Sequence, residues 1–181
     1  MDVKFKVTEP AKSEPIVFDI IFAEKVGGGI VKNCGYDLPV GVAISEDGYP
    51  IKCFEVVEDA ASDATSIKIK KGSGIASGDV IAKGKKAVAS TALDTTTSDE
   101  YDIVTVSLGV AVSEGDRLYE AYGASASSAR PKYDPLYVLG ESIPANSGDM
   151  LVKLVNGANV RKETIKIADE VLALMPMIAA R

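Results

Sequence analysis

The side chains able to do chemistry in this 181-residue chain are acids, lysines, tyrosines and two cysteines, because histidine is absent altogether. The commonest general base and the commonest nitrogen ligand for metals are therefore missing. A Ser-His-Asp triad, a Cys-His pair, an HExxH zinc site and a His-based facial iron site are all impossible within one chain. Aspartates recur after glycine: Gly78-Asp79 in "SGIASGDVIAKGKK", Gly115-Asp116 in "SEGDRLYEA" and Gly148-Asp149 in "NSGDMLVKL". Each pair opens an apolar run, so the aspartates either converge on a ligand or hold turns that launch strands.

Two stretches are rich in acid, "EDAASD" (residues 58–63) and "DTTTSDEYD" (residues 94–102). A glycosidase could work with two carboxylates and no histidine. Mixed Ser, Thr and Asp is also what loops use to hydrogen-bond their own backbone, and the turn reading is preferred. Calcium would need the DxDxDG pattern with a distal Glu, which does not occur, so no metal is expected. No GxxxxGK[ST] loop is present, and the triple glycine at residues 27–29 lacks the later glycine of a dinucleotide fingerprint, so no cofactor is expected either. Cys34 and Cys53 stand nineteen residues apart, too few for a disulfide scaffold and without metal-ligand spacing, which fits a reduced cytosolic origin.

The formal charge is −6 and the 20 basic residues are scattered, against the clustered Lys and Arg that a phosphate backbone demands. The densest basic stretches, "KIKKG" and "KGKK", are separated by Asp79. Neither a nucleic acid nor a membrane is an expected partner: no run approaches the ~18 to 20 apolar residues of a membrane helix. The start "MDVKFKVTEPAKSEP" alternates charge with apolar residues and lacks the apolar centre of a secretory signal.

The elements that must position these residues read mostly as strands, short apolar or β-branched runs bounded by Gly, Pro, Asp and Ser. The runs are "VKFKVTE", "PIVFDIIFA", "GVAISEDGYPIKCFEVV", "TSIKIKK", "DVIAKGKKAVAS", "YDIVTVSLG", "DRLYEAYG", "LYVLGESI" and "MLVKLVNGANV". Asp47-Gly48 between two such runs predicts a hairpin pairing residues 42–44 with 51–56. Residues 123–135 carry small and polar residues with two prolines and predict a surface loop. Near the end, Ile167, Val171 and Leu174 fall at helical spacing before Pro176, which predicts one short helix over residues 168–175 and then a tail. Pro10 and Pro15 keep the N-terminal strand out of a sheet centre, so it is expected as an edge strand or docking arm.

The glycines Gly41, Gly78, Gly115 and Gly148 are separated by 37, 37 and 33 residues. Leu38, Ile75 and Val112 stand three positions before the first three, whereas Ile143 stands five before the fourth. Each unit supplies an apolar plug, a glycine able to adopt positive φ and, except at Gly41, an Asp able to hold the turn. The expected fold is mainly β: a compact β-barrel or β-clip-like domain with one short C-terminal helix, its corners set by these turns. The expected division is an arm or edge strand over 1–33, the barrel over 34–162, and the helix and tail over 163–181.

The order "LPVGVAISEDGYPIKCF", "GSGIASGDVIA", "SDEYDIVTVSLGVAVSEGDRLYEA" and "NVRKETI", followed by a short helix and "LMPMI", resembles head decoration and head-fiber proteins of tailed bacteriophages. The likeness covers about residues 35 to 178, and its motifs are short and turn-like. It implies a non-enzymatic phage or prophage virion protein on the outer capsid surface, stabilising the head or anchoring a head fiber. The resemblance further implies the major capsid protein as partner, a homotrimer, synthesis in the bacterial host cytoplasm, and no small-molecule substrate. The alternative is a non-catalytic β-domain that binds protein or carbohydrate; Tyr119, Tyr122, Tyr133 and Tyr137 form its aromatic cluster, and they could equally rim a subunit interface. A β-clip enzyme that hydrolyses nucleotides would need Asp with Ser, Arg and Gln, and the chain has no Gln.

Overall fold

The computed structural model describes residues 16–181, so the expected strand "VKFKVTE" and both N-terminal prolines lie outside the described residues. Four sheets form. The largest contains β1 (Phe18–Glu24), β13 (Leu154–Val160), β11 (Pro135–Leu139) and β3 (Ala43–Ser45) in that order, with β14 (Ile178–Ala180) also on β13. A four-stranded sheet runs β4 (Cys53–Glu55), β10 (Arg117–Glu120), β6 (Val80–Lys83), β7 (Lys86–Ala89). A three-stranded sheet runs β5 (Ser66–Lys70), β9 (Tyr101–Thr105), β8 (Ala92–Asp94), and β12 (Met150–Val152) pairs with β2 (Gly29–Val31).

None of these sheets closes into a barrel, which corrects the expected β-barrel or β-clip-like domain. Closure needs consistent tilt and stagger around a continuous ring of strands. Here most strands span three to five residues before a corner sends the chain elsewhere, and among the described residues no sheet returns onto its own first strand. What holds of the expectation is a mainly β domain with one short C-terminal helix.

Alternation along single strands explains how so many small sheets share one molecule. Successive side chains of a strand point to opposite faces. In β10, Leu118 enters a core with Phe54, Ile69 and Val104, while Tyr119 enters another with Ile51, Val155 and Val171. In β6, Ile81 and Ala82 divide in the same way. Along β13, Val155 joins the second of these cores and Leu154 a third, with Val31, Leu38 and Ile143. The central strands of the two larger sheets, β13, β10 and β6, are thus buried on both faces, and they read as apolar runs such as "VIA".

The four expected corner glycines all adopt positive φ, between 82° and 91°. The corners repeat as pairs. Gly41 donates its N–H to Leu139 and Leu139 donates to Val42, at 3.0 and 2.8 Å; Gly115 donates to Val56 and Val56 to Asp116, both at 2.8 Å. Leu38 bridges Ile143 as Val112 bridges Ala60. An Asp locks each crossing: Asp37 accepts the Ala145 N–H at 2.8 Å and Asp59 the Glu114 N–H at 2.7 Å. The turn three residues after Ile143 is made by Asn146, at φ 56°, which restores the spacing that the sequence breaks by counting to Gly148. Asn tolerates the left-handed region because its short amide can bond locally.

Two local expectations differ. The Asp47-Gly48 turn forms, with Gly48 at φ 85° and the Ser45 and Tyr49 backbones bonded at 2.9 Å, but strand pairing stops at the Ile44–Pro50 bridge. Beyond it β3 pairs with β11 and β4 with β10, because the two arms serve different sheets. At the C-terminus α1 (Asp169–Leu172) is a single turn; Val171 is buried, whereas Leu174 is 51% exposed and Met175 takes the inward place. The expected tail contributes β14, parallel to β13 through Ala158–Ile178.

Candidate functional site

The Gly-Asp aspartates do not converge. Asp79 accepts the Ala76 N–H and Asp116 the Ser113 N–H, both at 2.9 Å, so each carboxylate closes its own turn. Asp149 instead reaches across to the Asn33 N–H and the Lys32 ammonium, both at 2.9 Å. Asp94 accepts the hydroxyl of Thr97 and the amide and hydroxyl of Thr96, bonds that hold its carboxyl well below the usual carboxylate range. Glu58 pairs with Lys68 on the neighbouring strand. The acid-rich segments therefore spend these carboxylates on local structure.

Of the four tyrosines, Tyr122 and Tyr133 line one pocket with Arg130 and Lys132, whereas Tyr119 and Tyr137 lie outside it. Tyr119 is buried and donates its hydroxyl to the Gly84 carbonyl at 2.8 Å; Tyr122 is 70% exposed beside Arg130; Tyr137 lies under Lys25. Tyr133 stacks on Tyr49, which no sequence pattern singles out, with ring centroids 4.8 Å apart. Both cysteines are free. Burial pushes the Cys53 thiol up to about 12 against the opposing Ala168 N–H, and burial also raises Cys34. Neither is a ready nucleophile.

One cleft does gather charge, although the sequence scatters its residues from position 36 to 166. Its volume is about 210 Å³, and Lys52, Lys70, Lys71, Arg117 and Lys166 line it with only two carboxylates, Asp37 and Glu55. The topology brings them together. Register in the four-stranded sheet sets Arg117 of β10 opposite Glu55 of β4, and the end of β5 supplies Lys70. The following turn, with Gly72 and Gly74 at positive φ, carries Ser73. A Cβ on Gly74 would fall 2.3 Å from the Tyr36 ring, so glycine lets that turn lie against the aromatic wall.

Several of these cations are already engaged. Lys52 is 2.9 Å from Asp79 and 3.8 Å from the buried Glu120, and Lys71 is bonded to the Thr95 and Ser98 carbonyls. Asp37 is occupied at the corner crossing. Glu55 alone faces Lys70 at 3.1 Å and Lys166 at 3.6 Å. Burial raises the Glu55 pKa, but these lysines and Arg117 outweigh it and leave the carboxyl lowered. The Arg117 guanidinium makes no ion pair within 4 Å among the described residues, where its only hydrogen bond is a long one, 3.4 Å, to the Glu163 carbonyl. Its Nε and the Ser73 Oγ are both closed to water without a hydrogen-bond partner. No group of three or more His, Cys, Asp or Glu side chains able to hold a metal occurs among the described residues.

Away from the cleft, the β1 edge and the β2–β12 ribbon expose apolar side chains. Ile20 and Phe22 of β1 are 57% and 56% exposed, and Val26 at the following turn is 99% exposed. Ile30 and Leu151, direct cross-strand partners, are 56% and 68% exposed. No helix among the described residues is long and apolar enough to cross a membrane. No protein-family model, curated protein or solved structure matches this chain.

Proposed function

We propose that this chain is a virion assembly protein of a phage or prophage, a homotrimer that docks on the major capsid protein from the outer surface of the head. The observation that supports assembly is the exposed apolar side chains of β1, an edge strand among the described residues, and of the β2–β12 ribbon. A strand edge offers unpaired N–H and C=O groups, and natural monomers usually blunt such edges with charge, proline or cover. Here the charges of the edge strand, Asp19 and Glu24, are paired with Arg161 and Lys153, and the strand also presents Ile20 and Phe22, with Val26 in the turn that follows and Ile30 and Leu151 on the β2–β12 ribbon. Large exposed apolar groups gathered in this way are characteristic of protein contact surfaces. The capsid, rather than another partner, follows from the resemblance of the turn and strand motifs to head decoration and head-fiber proteins.

The test combines sedimentation with co-pelleting on heads assembled from the major capsid protein of the same genome. The wild-type protein should sediment as a trimer and pellet with the heads. Phe22→Asp and Leu151→Asp should retain the native circular dichroism spectrum and reduce pelleting at least ~10-fold, a loss of about 1.4 kcal/mol or more. A protein that stays monomeric at high concentration and does not pellet overturns the assignment, as does pelleting unaffected by either substitution.

A further inference from the structure

We infer that the cleft between Arg117, Lys166 and Ser73 is a binding site for a small organic oxyanion, a carboxylate or phosphate head on a short apolar body. Three cations, Lys70, Lys166 and Arg117, face the single carboxylate of Glu55. Positive charge is thus in excess within a chain whose formal net charge is −6. Burying a guanidinium N–H without an acceptor is costly, and the fork of an arginine is matched by two oxygens of one carboxylate or phosphate. Arg117 and Ser73 line the cleft, and the Arg117 Nε and Ser73 Oγ lack a hydrogen-bond partner; both atoms are shut from solvent in the unliganded wall, so a bound head gains them as donors only as these two side chains turn toward it.

The rest of the lining selects the body. Leu38, Pro39, Val42 and Ile51 with the Tyr36 ring form an apolar wall beside the charged one. The volume of about 210 Å³ lies below the range of about 300 to 1,000 Å³ typical of drug-sized sites, which favours a compact ligand. The cleft shares no lining residue with β1, β2 or β12 and rests on none of the assembly assignment, so either can fail without the other.

Calorimetric titration with four probes at fixed ionic strength tests it: benzoate, phenyl phosphate, inorganic phosphate and benzyl alcohol. Benzoate or phenyl phosphate should bind one per chain, at least ~10-fold more tightly than benzyl alcohol and than inorganic phosphate, since head and body both contribute. Arg117→Gln should weaken that binding at least ~10-fold. Glu55→Gln should tighten it, because the substitution removes the carboxylate that competes for the same cations. Should Arg117→Gln unfold the protein, Lys166→Met and Ser73→Ala on other parts of the wall take its place. Absence of binding by both organic anions at 10 mM overturns the inference, with ~10 mM taken as the weak end of useful affinity. Equal binding of benzyl alcohol, or affinity unchanged in the wall variants and in Glu55→Gln, does so too.

Discussion

Three aspartates in near-identical sequence contexts occupy unequal surroundings. Asp79 closes its turn and also pairs with Lys52, a side chain only 18% exposed whose other neighbour is the buried Glu120. Asp116 closes its turn and meets Lys83 at 3.0 Å at a half-open position. Asp149 links Lys32 and Asn33 at the surface. Alanine at Asp79 leaves a turn N–H unpaired and the Lys52 ammonium with only its longer Glu120 contact, and should cost about 2 kcal/mol. At Asp116 the loss should be about 1 kcal/mol, as for a lost cap. Asp149→Ala should give the smallest shift, because water replaces its partners. Urea unfolding of the three variants measures the order, and an Asp149 variant weaker than the Asp79 variant would contradict it. "GD" is readable as a turn in all three cases; which carboxylate is buried is not, since Lys52 is distant in sequence from Asp79.

At the scale of elements, strand β13 organises the larger sheet. A strand has two edges, and β1 runs along one of them from Val155 to Val160. Strands β11 and β14 must therefore share the other, β11 at Leu154–Val155 and β14 from Ala158 to Val160. The C-terminal residues are consequently a component of the sheet, and Ile178 is 6% exposed within the core that also holds Val160 and Val171. The single turn of α1 cannot persist alone, because helices this short are not stable in water. Deleting residues 176–181 should uncover the β13 edge and produce an aggregating protein, visible by size exclusion. Ile178→Asp should keep the chain length yet destabilise by about 3 kcal/mol or more, from lost apolar burial and a buried charge. A soluble truncated protein with unchanged unfolding midpoint would show that β14 is dispensable.

For the molecule as a whole, the charge inventory sets a pH response. Glu55 and Asp116 are buried enough to raise their carboxyls, yet neighbouring cations and, for Asp116, the Ser113 N–H outweigh this and lower both; Asp149 is lowered by Asn33 and Lys32. A carboxylate depressed on folding stabilises the fold above its unfolded pKa, near 4, and that contribution is lost as pH falls through the folded value. No histidine titrates between pH 5 and 8, and both thiols are shifted upward. The thermal midpoint should be level from about pH 6 to 8 and fall below about pH 4. A step in stability between pH 6 and 7 would point to a titrating group outside this account.

Much of the local structure was written in the chain. The alternation of "SIKIK" in β5 and the positive φ of the corner glycines follow from steric limits and period-two patterning, which neighbouring residues impose on one another, whereas "DVIAKGKKAVAS", which reads as one run, folds into the β6–β7 hairpin at Gly84. The same reasoning favoured a closed barrel, because strand count and turn spacing say nothing about which edges meet. Pairing of β3 with β11 and β4 with β10 joins segments more than 60 residues apart, and it depends on total burial across three cores rather than on any local signal. The charged cleft has the same origin. Tyr36, Glu55, Ser73, Arg117 and Lys166 share no motif, and only packing of the sheets brings three cations onto one carboxylate.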